Sequence, residues 1–91
     1  MGKRIFEVIV TRTILLELDD AVINVVDDEW RKQLYNLHTP VEIASMIGRC
    51  MVLFNSKLSS LDGWADQPDE NARIVGDDDY VEAYEIVGSK L

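Results

Sequence analysis

Few residues in this chain could do chemistry: one histidine (His38), one thiol (Cys50), and two groups of carboxylates, Asp62, Asp66, Asp69 and Glu70 in one stretch and Asp77, Asp78 and Asp79 in another. Nucleophilic catalysis needs a nucleophile, a base and a group that orients the base. His38 stands immediately before a helix N-cap, where a boundary contact near Ile43 accounts for it. Cys50 falls on the apolar face of the same helix as a small filler. Clustered acids suit hard cations, but an EF-hand-type loop alternates acids with other residues and sets a glycine at its sharp turn. Here Gly63 directly follows Asp62, and Trp64 occupies a position where a ligand is needed. The turn preference of Gly76-Asp77-Asp78-Asp79 explains those acids without a metal. The glycines are isolated, which excludes a phosphate loop or a dinucleotide fingerprint. No catalytic, cofactor-binding or metal-ligating residue is assigned, and the chain reads as non-enzymatic with no cofactor.

Charge is more informative. Positions 58–91 carry nine carboxylates and two cations, against eight and seven in positions 1–57, so nearly all of the net charge of −8 belongs to the last third. Such a surface repels nucleic acid and attracts basic partners. Lys3, Arg4, Arg31, Lys32, Arg49 and Lys57 are scattered and outnumbered, so no direct nucleic-acid binding is expected. The candidate partner-binding residues are therefore Asp62, Asp66, Asp69, Glu70, Asp77, Asp78 and Asp79, facing a protein partner of basic character. At 91 residues, 47% hydrophobic and 29% charged, the chain is expected to form one globular domain spanning 1–91. A lone cysteine, no leader-like start and no apolar run near 18 residues point to a reducing, cytoplasmic setting without membrane association.

The elements that must position these residues follow from periodicity. Phe6, Val8, Val10, Ile14, Leu16 and Leu18 alternate with polar residues, the pattern of a strand, and Arg12 on the apolar face predicts a bend, a bulge or a sheet end there. Ala21–Val26 reads as a short edge strand or an irregular return. Asp27 or Asp28 caps a short helix over about 29–36, with Trp30, Leu34 and Leu37 as its buried stripe. Thr39-Pro40-Val41-Glu42 is the clearest local signal, a capping box with proline at the first helical position. It opens a helix over Pro40–Ser56 that buries Ile43, Ile47, Cys50, Met51 and Phe54 against a sheet containing Phe6, Val8 and Val10.

Within that helix Ala44 and Gly48 set small residues on one surface. Close approach of another backbone, from the chain's own sheet or from a symmetry mate, would offset the roughly 1 kcal/mol of helix propensity a glycine loses. With Met46, Val52 and Leu53 flanking, a homodimer through Ala44 and Gly48 is expected. Positions 57–71 form a packed surface loop around Leu61, Trp64 and Ala65. Ala72–Val75 and Tyr80–Val87 then read as two strands of a hairpin closed by Gly76–Asp79. The implied fold is α+β, a two-layer sandwich with a largely antiparallel sheet of three to four strands packed against two helices.

Phe6-Glu7-Val8 leading into Thr11-Arg12-Thr13, Asp28-Glu29-Trp30, Thr39-Pro40-Val41-Glu42-Ile43-Ala44 and Leu58-Ser59-Ser60-Leu61-Asp62-Gly63-Trp64-Ala65-Asp66 resemble, in order and spacing, small uncharacterised accessory proteins of actinobacterial bacteriophages and prophages. The resemblance spans about 6–69. It implies a phage accessory protein acting in the cytoplasm of a bacterial host, and it carries over no functional residue. Function is thus expected to be non-enzymatic binding of a host protein. The rival readings are a nucleic-acid mimic that occupies the basic groove of a DNA- or RNA-handling protein, and a small metal-dependent enzyme.

Overall fold

A computed structural model of the chain describes residues 2–86. Strand β1 (Phe6–Leu18) leads into helices α1 (Asp20–Asn24), α2 (Asp28–Gln33) and α3 (Pro40–Phe54). Two short 3₁₀ turns, Leu58–Ser60 and Asp69–Asn71, then precede strand β2 (Ala72–Glu85). The class is α+β. The sheet has two antiparallel strands among the described residues, in place of the expected three to four, and three helices stand where two were expected.

The difference in strand number has one main source. Gly76–Asp79 does not close a hairpin: β2 runs through it without a turn, opposite an uninterrupted β1, with Asp79 paired to Arg12, Asp78 to Thr13 and Asp77 to Ile14. Turn propensity is overridden because the acids keep their solvent and meet a cation across the ladder. Asp77 and Asp79 are exposed and flank Arg12, whose guanidinium lies 3.0 and 3.6 Å from their carboxylates. The irregularity expected at Arg12 lies further along. The register shifts between Leu15, opposite Gly76, and Leu16, opposite Ile74, which leaves Val75 as the extra residue of a bulge in β2. Val87, the expected end of this strand, lies outside the described residues.

Ala21–Val26 is also corrected, from strand or irregular return to the helix α1. Asp19 caps it, accepting from the Ala21 N–H at 2.9 Å, and Val22 turns inward to full burial. Asp27 caps α2 in the same way through the Trp30 N–H at 2.9 Å. That helix stops at Gln33, short of Asn36, and Leu34 is exposed. Beyond it the Arg31 guanidinium reaches forward to the Leu37 carbonyl at 2.6 Å and draws the chain round into the next cap. At α3 the Thr39 hydroxyl accepts from the Glu42 N–H at 3.1 Å, as the capping box requires. The helix ends at Phe54 because Asn55 enters the left-handed region with φ 52°, two residues before the expected stop at Ser56.

Packing is concentrated at one end of the ribbon. Val22, Val26, Trp30, Ile43, Ile47, Leu58, Trp64 and Ala72 form the buried core, with Leu16 and Leu18 of β1 packed against it. Ile43 and Ile47 are buried as expected, but Phe54 is 70% exposed, and Phe6, Val8 and Val10 are also exposed. Simple lengths explain this: α3, at 15 residues, spans about 22 Å, whereas the 13 residues of β1 span about 43 Å. The helix covers half the strand, meeting it only at the Ile14–Leu18 end, and the expected two-layer sandwich is not formed among the described residues. There Gly48 is buried, and a Cβ on it would sit 3.4 Å from Ile14 Cδ1 and 3.6 Å from Leu16 Cδ2. The close approach that this glycine permits is therefore to the chain's own sheet.

The loop over 57–71 is held by tryptophan. Trp64 is fully buried and its indole N–H donates to the Val22 carbonyl at 3.0 Å; the Trp30 indole donates to the Gly63 carbonyl at 3.2 Å, with the two rings 5.0 Å apart. Gly63 takes φ +95°, and a Cβ there would lie 2.5 Å from Trp30 Cζ2. Gly63→Ala is accordingly expected to cost at least about 1–3 kcal/mol from backbone strain alone, with the clash added. Trp64→Ala should cost about 3–5 kcal/mol. Chemical denaturation monitored by tryptophan fluorescence for the first and by circular dichroism for the second measures both, and losses below about 1 kcal/mol would refute this account of the core.

Candidate functional site

The residues singled out for their chemistry fall on separate elements: His38 before α3, Cys50 on α3, and the acids on the 57–71 loop and β2. His38 is exposed at the rim of a shallow groove with Asp28, Arg31, Lys32 and Asn36, and its imidazole Nε2 bonds to Asn36 Oδ1. Its backbone N–H donates to Glu42 Oε1 at 3.4 Å, so the residue belongs to the cap. Cys50 is half-buried on α3. Among the described residues, no group of three or more His, Cys, Asp or Glu side chains could hold a metal ion, and no helix is long and apolar enough to cross a membrane.

The acids singled out by charge fall into two groups. Asp62, Asp66, Asp69 and Glu70 are exposed on the loop that wraps Trp64. Asp69 has a structural part as well: hydrogen bonds from Ser59, including its N–H at 2.9 Å, pin the loop and hold the carboxyl below the usual carboxylate range. Asp77, Asp78 and Asp79 sit midway along the ribbon, where strand alternation divides them. Asp77 and Asp79 share a face with Arg12, while Asp78 points to the opposite face beside Thr13.

The ribbon therefore has two faces of different chemistry. The core face continues outward from Leu18, Leu16 and Ile14, through Arg12 and its two aspartates, to Val10, Val8 and Phe6, with Val81 and Ala83 opposite. Beside it lies an open groove of about 580 Å³ between β1 and α3, lined by Ile14, Leu16, Val41, Gly48, Arg49 and Leu53 among others. Ala44 and Ser45 also line it, so of the residues expected to drive self-association Ala44 borders solvent and Gly48 is occupied by packing.

The outer face carries Glu7, Ile9, Thr11 and Thr13 across from Tyr84, Glu82, Tyr80 and Asp78. Alternation sets Tyr80, Glu82 and Tyr84 in a row. Both phenols donate to the one carboxylate, Tyr80 to Oε1 at 2.7 Å and Tyr84 to Oε2 at 2.6 Å. The bonds from Tyr84 and then Tyr80 lower the pKa of Glu82, and the hydrogen bond that each phenol donates to this carboxylate raises the pKa of Tyr80 and Tyr84. Tyr80 is 60% exposed and Tyr84 50%, so two aromatic rings and an ionised carboxylate stand preorganised in solvent. Net charge did not point to this cluster; the signal that could have found it was the shared face of Tyr80, Glu82 and Tyr84, legible from alternation alone.

The chain matches no protein-family model, no curated protein and no solved structure. Its chemistry is therefore read from its own geometry. Replacing the carboxylate should release the phenols: Glu82→Gln is expected to lower the pH at which Tyr80 and Tyr84 ionise, followed as phenolate absorbance in an alkaline titration. Because the folded pKa of Glu82 is depressed, its contribution to stability is present above the unfolded value and lost as pH falls through the folded one. The stability difference between wild type and Glu82→Gln should thus shrink on acidification. An unchanged phenolate titration would show that the cluster does not form.

Proposed function

We propose that this protein is a non-catalytic binding protein that holds a basic segment of another protein on the outer face of its ribbon. The observation that carries the reading is the exposed Tyr80–Glu82–Tyr84 cluster, with Glu7 and Asp78 beside it. Tyrosine combines a large contact area with low side-chain entropy, and its ring face attracts lysine and arginine. The Glu82 carboxylate is held ionised and keeps lone pairs free for a cationic donor. Net charge of −8 steers such a partner from a distance, and Asp62, Asp66, Asp69, Glu70 and Asp77–Asp79 supply much of that field. A segment laid on this face would also supply a second layer over the ribbon, as a two-layer sandwich calls for.

The resemblance to actinobacteriophage accessory proteins supports a role in the cytoplasm of a bacterial host, on a host protein. A nucleic-acid mimic is less well supported, because Arg12 offsets one of the two charges of Asp77 and Asp79 and Asp78 points to the opposite face, so these acids do not form one continuous row.

An arginine-rich peptide is the direct probe. Its affinity is expected to fall steeply with salt, and Tyr80→Ser with Tyr84→Ser together should weaken it at least about tenfold. Neutralising Asp77, Asp78 and Asp79 to Asn should mainly slow association. Binding that ignores both salt and the two tyrosines, measured by fluorescence anisotropy, would reject the proposal.

A further inference from the structure

The core face of the ribbon poses a different problem from the outer one. At the Ile14–Leu18 end it is covered by α3 and the core; beyond Arg12 the same face continues as Phe6, Val8, Val10 and Val81, each 54% exposed or more. An isolated two-stranded ribbon is marginal in water, and three strands or packing against a helix are needed to hold one. This half of the ribbon has neither among the described residues.

The surface area tells the same story. A folded monomer of 10.4 kDa is expected to expose about 5,400 Å². This chain exposes 6897 Å². The surplus of roughly 1,500 Å² exceeds the about 800 Å² that one partner contributes to a standard interface. The radius of gyration, 18.6 Å against about 12 Å for a compact chain of this length, locates the surplus in elongation.

We infer that a second copy of this chain covers the face. The same molecule presents both halves of a contact: a ridge, Phe6, Val8 and Val10, and a groove between β1 and α3 edged by Val41, Val52 and Leu53. Across a two-fold axis each ridge lies in the other copy's groove, the self-complementary arrangement that a symmetric dimer requires. Charge agrees with this pairing. Arg49 is exposed in the groove and makes no ion pair among the described residues, while on the ridge face Asp77 and Asp79 share the single guanidinium of Arg12 and so leave one carboxylate charge over. The apolar character of the ridge suits the dry contact between identical subunits, in contrast to the polar outer face. This dimer differs from one built on Ala44 and Gly48 alone, because its ridge is supplied by the ribbon.

Sedimentation equilibrium tests it. The unmodified chain is expected at twice its 10.4 kDa mass, and Val10→Asp in the ridge or Leu53→Lys in the groove should each weaken dimerisation at least about 100-fold. Near-ultraviolet circular dichroism of the Trp30–Trp64 pair, remote from both positions, checks that each variant is folded. Mixing the two folded variants should restore a dimer, since one contact then sets the introduced carboxylate against the introduced ammonium and the other is native. An unmodified chain that stays monomeric at high concentration, a dimer indifferent to both substitutions, or folded variants that fail to reassociate on mixing would each overturn the inference. Peptide binding on the outer face is read separately, so either result leaves the other interpretable.

Discussion

The buried indole of Trp64 is the constraint on which the rest of the molecule depends. In a chain this small the core needs a large apolar body, but the indole N–H must also find an acceptor once it leaves water. The Val22 carbonyl supplies that acceptor, which ties the 57–71 loop to α1 across 42 positions of sequence. Trp30 packs on the same ring and bonds to Gly63, adding α2 to the assembly. A loop that would otherwise be a surface connection thus becomes a wall of the core, and α3 seals it with Ile43 and Ile47. The start of α1 is fixed in turn to the end of that loop, with the Asp19 N–H donating to the Asn71 carbonyl at 2.8 Å.

Everything beyond this knot is set by a mismatch of lengths. The strands outrun the helix by about a factor of two, so one end of the ribbon is core and the other is surface. In the exposed half the Arg12 cluster, together with Arg4 bonded to Glu85 and stacked 5.6 Å over Phe6, gives the two strands cross-links that need no burial. Exposed pairs of this kind contribute little individually. They fix register more than they supply stability, and the apolar stripe is left uncovered by the described residues.

The two faces differ in chemistry. The outer face carries tyrosine rings and an ionised carboxylate, which suit the proposed basic partner; the core face carries an apolar ridge beside a groove, which suits the inferred second copy. Strand alternation makes the division possible, because neighbouring residues as alike as Asp78 and Asp79 face opposite ways.

Local signals were legible in the residues themselves. The Thr39 capping box, the alternation of β1 and the aspartate that caps α2 follow from interactions within a few positions of sequence, and the spacing of Ile43, Ile47 and the apolar residues of the tryptophan loop marked side chains that long-range contacts then packed. What only the tertiary structure decided was set by residues far apart. Gly76–Asp79 has the composition of a turn, yet it extends because Arg12 and an unbroken β1 lie across from it. Ala21–Val26 has the alternation of a strand, yet it coils because Asp19 caps it and Val22 is needed under Trp64. Phe6, Val8 and Val10 have the hydrophobicity of a core, yet they are exposed because α3 spans only half the strand, and Phe54 is exposed at the last position of that helix. Periodicity reports which side chains share a face; whether that face is covered depends on the relative lengths and placement of elements, which no local pattern encodes.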